Sequence, residues 1–339
     1  MLGSTGRLIK ERRCVLLAQK MEGFTDEEFD LMVNPITKEL IKDFLTQKQY
    51  SGQTLKQYKS ALYIFARWVH EERDNKPLTE LKIRDALRYQ NHMIDLDLSD
   101  SGIKFKRSAV SSLFKYIEAF WSDEYPDCRN IFTDAVPKIG NNKKKQKEPL
   151  TKRELNKLIK ELSKREEWQK LAYLMFTYST GCRREESRQL KKEVINYKKY
   201  VNVKGEEKNY YVTHDIRAKG GGKEGKVRKF QFDEGAMEAI KKWIEFRGDD
   251  DNEFVFTSTY GGEIKQVAPE TFNRWCELFS EILGKKVHPH LLRSSRATIG
   301  VVEEGKDIES LRVLLGHNSS ATTEIYVVRG EDDSLDDLF

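Results

Sequence analysis

Three short segments carry residues whose types and spacing suit phosphate chemistry. His290 and Arg293 are separated by two leucines in HLLR, so on a helix they project from one face. Farther along, Leu315-Gly316-His317 is followed by Tyr326, nine residues after the histidine. Upstream, Thr180-Gly181-Cys182-Arg183-Arg-Glu-Glu186 sits at a glycine break after an apolar stretch. Breaking a phosphodiester without a metal requires an in-line nucleophile, cations over the non-bridging oxygens and an acid for the leaving oxygen. Arginine meets the second need, because its planar fork binds two oxygens and keeps its charge. Lysine or histidine meets the third. These groups are far apart in the chain, so several elements must bring them together.

The elements available to do so are mostly helical. Residues 1–34 are expected to form a helical extension. From Pro35, Leu40, Ile41, Phe44 and Leu45 recur at helical spacing, as do Leu55, Tyr58, Leu62, Phe65 and Trp68. Helices are predicted again over 81–93 and 106–120, and a lysine-rich, aperiodic stretch at 138–149 marks a basic linker. Thr151 and Glu154 then form a capping-box pattern. An apolar helix is predicted over 168–179. Alternating stretches near 199–203, 208–215 and 227–232 predict a small antiparallel sheet. Helices follow over 234–247, 267–283, 290–304 and 307–315. The expected class is therefore mainly α (α+β). A helical unit at 35–137 precedes a mostly helical unit with a small sheet at 150–329, and the tail is 330–339.

Composition narrows the function classes. Of 339 residues, 38% are hydrophobic and 34% charged, which supports two ordinary cores under a highly charged surface. No apolar run approaches the roughly 20 residues needed to cross a bilayer, and the first residues do not read as a signal peptide. The protein is expected in the cytoplasm, with no membrane partner. Cys14, Cys128, Cys182 and Cys276 form no C-x-x-C pair, and the six histidines have no metal-binding spacing. Neither a disulfide framework nor a metal or other cofactor is expected. Net charge is +5, but the last ten residues hold five acidic groups and no basic one, which leaves +10 on the rest. A basic body with an acidic tail suits a polyanion partner.

Together the three segments resemble the signature boxes of the tyrosine recombinase (phage integrase) family. That family reads roughly T-G-x-R-x-x-E, then H-x-L-R-H, then L-G-H with a tyrosine nine residues later. TGCRREE, HLLR and LGHNSSATTEIY occur here in that order. One alone would be a weak sign; their order and spacing are specific. The resemblance spans 150–326 and, more loosely, 36–137, where the family places a helical DNA core-binding domain. It implies a site-specific recombinase or integrase of a phage or mobile element, acting on double-stranded DNA without a cofactor.

By the same resemblance, Arg183 and Arg293 would hold the scissile phosphate, His290 would assist proton transfer and His317 would hydrogen-bond the phosphate. Tyr326 would form a 3′-phosphotyrosine link. The family's general acid is a lysine in the sheet turn, for which Lys219, Lys223 and Lys226 are candidates; Lys219 is preferred because it ends the first strand. Glu186 would orient Arg183, while Arg184, Arg188 and Arg296 read as surface charges. Ser294 stands where the family usually has a second histidine. The resemblance further implies a tetramer on DNA, with the tail's Leu335, Leu338 and Phe339 docking on a neighbouring copy. The alternative is a recombinase-fold DNA-binding regulator that does not cut. Type IB topoisomerases share the chemistry but seldom this L-G-H to tyrosine spacing.

Overall fold

Side-chain caps set where the first helices begin. The computed structural model describes residues 21–140, 148–218, 225–317, 319–324 and 327, and the chain divides into two units between Lys144 and Lys145. In the first unit Thr25 caps α1 (Asp26–Met32), Asn34 caps α2 (Pro35–Phe44) and Ser51 caps α3 (Gly52–Glu72). At α4 (Ile83–Asp95) the Asp85 carboxylate reaches back to the Lys82 N–H, and Ser99 caps α5 (Asp100–Phe120). Each device satisfies an N–H that the helix itself leaves unpaired.

The stripes Leu40, Ile41 and Phe44, Leu62, Phe65 and Trp68, and Val110, Leu113 and Phe114 meet in one core. Phe29, which the sequence places in an extension, is fully buried in that core and stacks on Tyr63 with ring centroids 4.0 Å apart. Phe29→Ala is therefore expected to destabilise this unit by about 3–5 kcal/mol. Denaturant unfolding of the variant beside the parent measures it.

The second unit opens with α6 (Lys152–Lys164), where Thr151 and Glu154 form the capping box. Next come α7 (Trp168–Thr180) and the short α8 (Arg184–Arg188). A long antiparallel arm follows. In it β1 (Tyr211–Val212) pairs with β4 (Gln231–Phe232), and β2 (Ile216–Ala218) pairs with β3 (Lys226–Arg228). The chain continues through α9 (Glu234–Arg247), the hairpin β5 (Thr257–Tyr260) and β6 (Glu263–Gln266), and α10 (Pro269–Leu283). The last helices among the described residues are α11 (Pro289–Thr298), α12 (Ile308–Leu315) and α13 (Ser320–Glu324). Tyr173 of α7 stacks on Phe272 of α10 at 4.4 Å, with Phe256 and Trp275 edge-on around them. That cluster fixes α7, which carries the first motif at its end.

The class is as expected, but the strands differ in detail. The alternation near 199–203 yields an isolated Val201–Glu207 bridge rather than a strand. The β5–β6 hairpin escapes sequence reading because TSTY and EIKQ are exposed on most positions and show no apolar face. Gly261 and Gly262, both at positive φ, make its turn. The predicted helix over 290–304 is α11 followed by a single π turn, Ile299–Glu303. The linker segment 141–147 and the tail 330–339 lie outside the described residues, as does most of the extension.

Candidate active site

Gly181 is where the three motifs touch. It ends α7 in the left-handed conformation, φ +60°, and a Cβ there would stand 2.3 Å from Leu315 Cδ2. Its missing side chain thus admits the Leu-Gly-His segment. Its carbonyl accepts a hydrogen bond from Arg293 Nη1, which brings in the His-Leu-Leu-Arg segment as well.

Arg183 follows the glycine break and is held by Glu186, as the resemblance implied. The buried Glu186 carboxylate accepts from Arg183 Nη1 at 2.9 Å and from the Arg183 backbone N–H at 2.6 Å. The Arg183 side chain is still about one-third exposed, so a charge oriented by a buried partner faces a reachable space. Arg293 is fully buried. Its Nη2 donates to the Leu315 carbonyl at 2.7 Å and lies 2.7 Å from His317 Nε2.

The protonation of His317 follows from its neighbours. Arginine has no lone pair to offer, so Nε2 must accept. The proton then sits on Nδ1, 2.9 Å from Thr323 Oγ1. Burial, followed by the positive charges of Arg293, Arg183, Arg228 and His290, pushes the imidazole down to about 4. At neutral pH the ring is uncharged. A folded value below the unfolded one means that the unfolded chain takes up a proton first, so stability falls as pH drops from about 6.5 toward 4. Thermal melting of the full chain is expected to show this decline, and His317→Asn is expected to flatten it. A decline of the same size in His317→Asn would count against the assignment.

The structure thus brings Arg183, Arg293 and His317 together, with His290 half-buried in the first turn of α11 and near enough to act on His317. Lys219, Lys223 and Tyr326 lie outside the described residues. Lys226 is exposed on β3, opposite Ala218.

Three readings of nearby residues need correction. Arg296 is not a surface charge: it is 8% exposed, its Nη1 lies 3.1 Å from Glu304 Oε2, and its guanidinium lies 5.4 Å from the Tyr178 ring centroid. Arg188 is half-buried, and its Nε donates to the Val267 carbonyl at 2.7 Å, tying α8 to the end of β6. Arg184 is half-buried too, with Nη1 3.4 Å from Asn273 Oδ1. The serines after Arg293 also have structural work. Ser294 Oγ donates to the His290 carbonyl at 3.2 Å. Ser295 Oγ accepts from the Leu150 N–H at 2.7 Å and donates to the Leu291 carbonyl at 2.8 Å. The first residues of the second unit are thereby fastened to α11.

Arg183, Arg293 and the neutral His317 beside one glycine turn, with His290 near them, make an arrangement suited to handling a phosphate. The chain belongs to the phage integrase family, the tyrosine recombinases. The phage integrase family matches residues 148–331, and the phage integrase N-terminal SAM-like domain matches residues 39–122. The chain is 32% identical over 308 residues to the SPbeta prophage-derived recombinase-like protein YomM of Bacillus subtilis, covering 89% of this chain and 90% of that protein. It is 29% identical to tyrosine recombinase XerA of Pyrococcus furiosus, covering 86% and 90%. The fold matches that of XerH site-specific recombinase bound to palindromic difH substrate, with a TM-score of 0.64 at 18% identity over 94% of this chain and 97% of the other. It also matches the Tn1549 transposon integrase in complex with transposon right end DNA, with a TM-score of 0.63 at 18% identity over 89% and 98%.

Proposed function

We propose that the protein is a site-specific DNA recombinase of a prophage or related mobile element, cutting and rejoining double-stranded DNA through Tyr326. The observation that carries this reading is the convergence of Arg183, His290, Arg293 and His317 at the Gly181 turn. Arg183 and Arg293 neutralise the phosphate's non-bridging oxygens as charge builds in the transition state. The incoming phosphate competes for the Arg293 donors that now point at His317, and its negative charge favours a proton on His317 Nε2. Tyr326 Oη passes its proton to His290 as it attacks phosphorus, the bond from phosphorus to the 5′ oxygen breaks, and a lysine of the β2–β3 arm, Lys219 by preference, protonates that leaving oxygen. The bond energy stays in the 3′-phosphotyrosine, so the reverse attack by a 5′ hydroxyl reseals the strand without a cofactor.

The first unit, 35–137, is a second DNA-binding unit beside the catalytic one at 150–329 in the chain, and the basic 138–149 segment that links them in sequence adds positive charge. The protein works in the cytoplasm as a tetramer on DNA. Its acidic tail docks on a neighbouring copy; a cleft of about 670 Å³ lined by Leu311, Val313 and Leu314, with Lys306 in its lining, has the matching chemistry. Among the described residues no helix is long and apolar enough to cross a membrane.

The test is a covalent adduct. A duplex recovered by binding selection from a random-sequence library is nicked so that the cleaved end diffuses away, then incubated with the protein. A protein-linked strand supports the recombinase. Tight, sequence-specific binding with no linked strand would sink that reading in favour of a non-cutting regulator.

A further inference from the structure

We propose that Arg228 is a positioning residue of this site, holding the Leu314–His317 turn so that Arg293 and His317 meet in register. The proposal rests on the recombinase reading above and adds a residue that none of the three motifs contains.

Arg228 ends β3, where it pairs with Ile216. From there its guanidinium reaches the far end of α12. Nη1 donates to the Leu315 carbonyl at 2.9 Å and Nη2 to the Leu314 carbonyl at 2.7 Å. Both acceptors belong to the last turn of a helix, where carbonyls lack intrahelical partners and the dipole is negative. The guanidinium also lies 4.4 Å from the Phe230 ring centroid. A half-buried cation that spends both terminal nitrogens on backbone is built to hold that backbone.

What it holds is the residue that Arg293 leans on. The Leu315 carbonyl accepts from Arg228 Nη1 and from Arg293 Nη2 at 2.7 Å. One oxygen thus uses both lone pairs to dock two guanidinium groups that would otherwise repel. The next two residues are Gly316 and His317, and His317 Nε2 lies 2.7 Å from the same Arg293 nitrogen. A shift of this turn therefore moves Arg293 and His317 together. Misplacement of about 1 Å is enough to lose most of a rate that depends on alignment.

Gly316 shows that the space is reserved. It has φ +67°, and a Cβ there would lie 1.8 Å from Arg228 Nη1. The positive φ alone would favour glycine at this helix end. The Arg228 contact is a second and independent reason, because any side chain would expel the guanidinium. Arg228 also adds to the positive field on His317, and that gives the charge and the two-point clamp separate signatures.

The experiment compares Arg228→Lys, Arg228→Gln and Gly316→Ala in the full chain. It uses the nicked, selected duplex at saturating protein and reads the single-turnover rate of adduct formation, DNA affinity, melting temperature and the NMR titration of His317. Lysine keeps the charge but cannot span two carbonyls, so Arg228→Lys is expected to slow adduct formation about 10- to 100-fold, the usual cost of losing a supporting contact, with DNA affinity unchanged. Its His317 midpoint should hold, while that of Arg228→Gln should rise. Gly316→Ala attacks the same clamp, so combining it with Arg228→Lys should cost less than the two separate losses together. A wild-type rate in Arg228→Lys would overturn the proposal. So would a loss carried in affinity, which would make Arg228 a DNA contact, or one matched by a collapse in melting temperature in all three variants. Absence of any adduct with the parent protein would instead sink the recombinase reading, and the melting temperatures of Arg228→Lys, Gly316→Ala and their combination would still report, by their non-additivity, whether the clamp exists.

Discussion

Tyr326→Phe is expected to abolish the protein–DNA adduct while leaving sequence-specific binding intact. The substitution removes one oxygen, keeps the ring and leaves the net charge unchanged. Without that oxygen no covalent intermediate forms, and loss of a nucleophile of this kind costs on the order of 10⁶ in rate. An ordinary phenol, with a pKa of about 10, is a weak nucleophile at neutral pH. The positive field that holds His317 neutral is also suited to stabilising a developing phenolate. The measurement is denaturing electrophoresis of labelled nicked duplex, beside a binding titration of the same preparation. An adduct that persists in Tyr326→Phe would move the nucleophile elsewhere, and Tyr326 would lose its assigned role.

Arg293→Ala is expected to reduce the single-turnover rate by about 10³- to 10⁵-fold, the range for removing a cation that neutralises phosphoryl charge. It should also lower stability, unlike Arg183→Ala, because the two arginines sit differently. Arg293 is fully buried and bridges Gly181, Leu315 and His317. Its removal takes that donor from the Gly181 carbonyl, at about 1–3 kcal/mol, while the Leu315 carbonyl keeps Arg228. Arg183 is about one-third exposed and its partner Glu186 is on its own helix, so its loss should cost rate more than fold. Arg293→Lys keeps a charge but presents a point where a fork is needed, and is expected to recover only a small part of the rate. The check is adduct kinetics with melting in parallel. A rate for Arg293→Ala within tenfold of the parent would remove Arg293 from the phosphate site.

Local pattern made much of the architecture legible. Helical stripes such as Leu62–Phe65–Trp68 became buried faces, because a 3.6-residue repeat leaves few other ways to remove them from water. The Thr151–Glu154 capping box formed as written, because it involves neighbouring residues alone. The exposed β5–β6 hairpin was not legible, since its register depends on paired backbone and not on an apolar alternation. Phe29 also shows the limit. Its own seven-residue helix looks peripheral, and its partner Tyr63 is 34 positions away.

The motif residues divide in the same way. TGCRREE, HLLR and LGH identify themselves because the identity and order of groups that handle phosphate are carried in the chain itself. How those groups are held is a matter of through-space partners. At Gly181 and Gly316 the positive φ already favours glycine, and Leu315 and Arg228 fill the space where a side chain would stand. Arg296 is a buried ion-pair partner of Glu304 rather than a surface charge, a distinction that one helical period cannot make. His317 is neutral because its ring is buried and the charges of Arg293, Arg183 and Arg228, carried by three different parts of the fold, act on it. Sequence alone determined the family and nominated the side chains for its chemistry, since both depend on functional groups and their order. Tertiary structure decided their burial, protonation and aim, because each depends on distances between residues the chain itself keeps far apart.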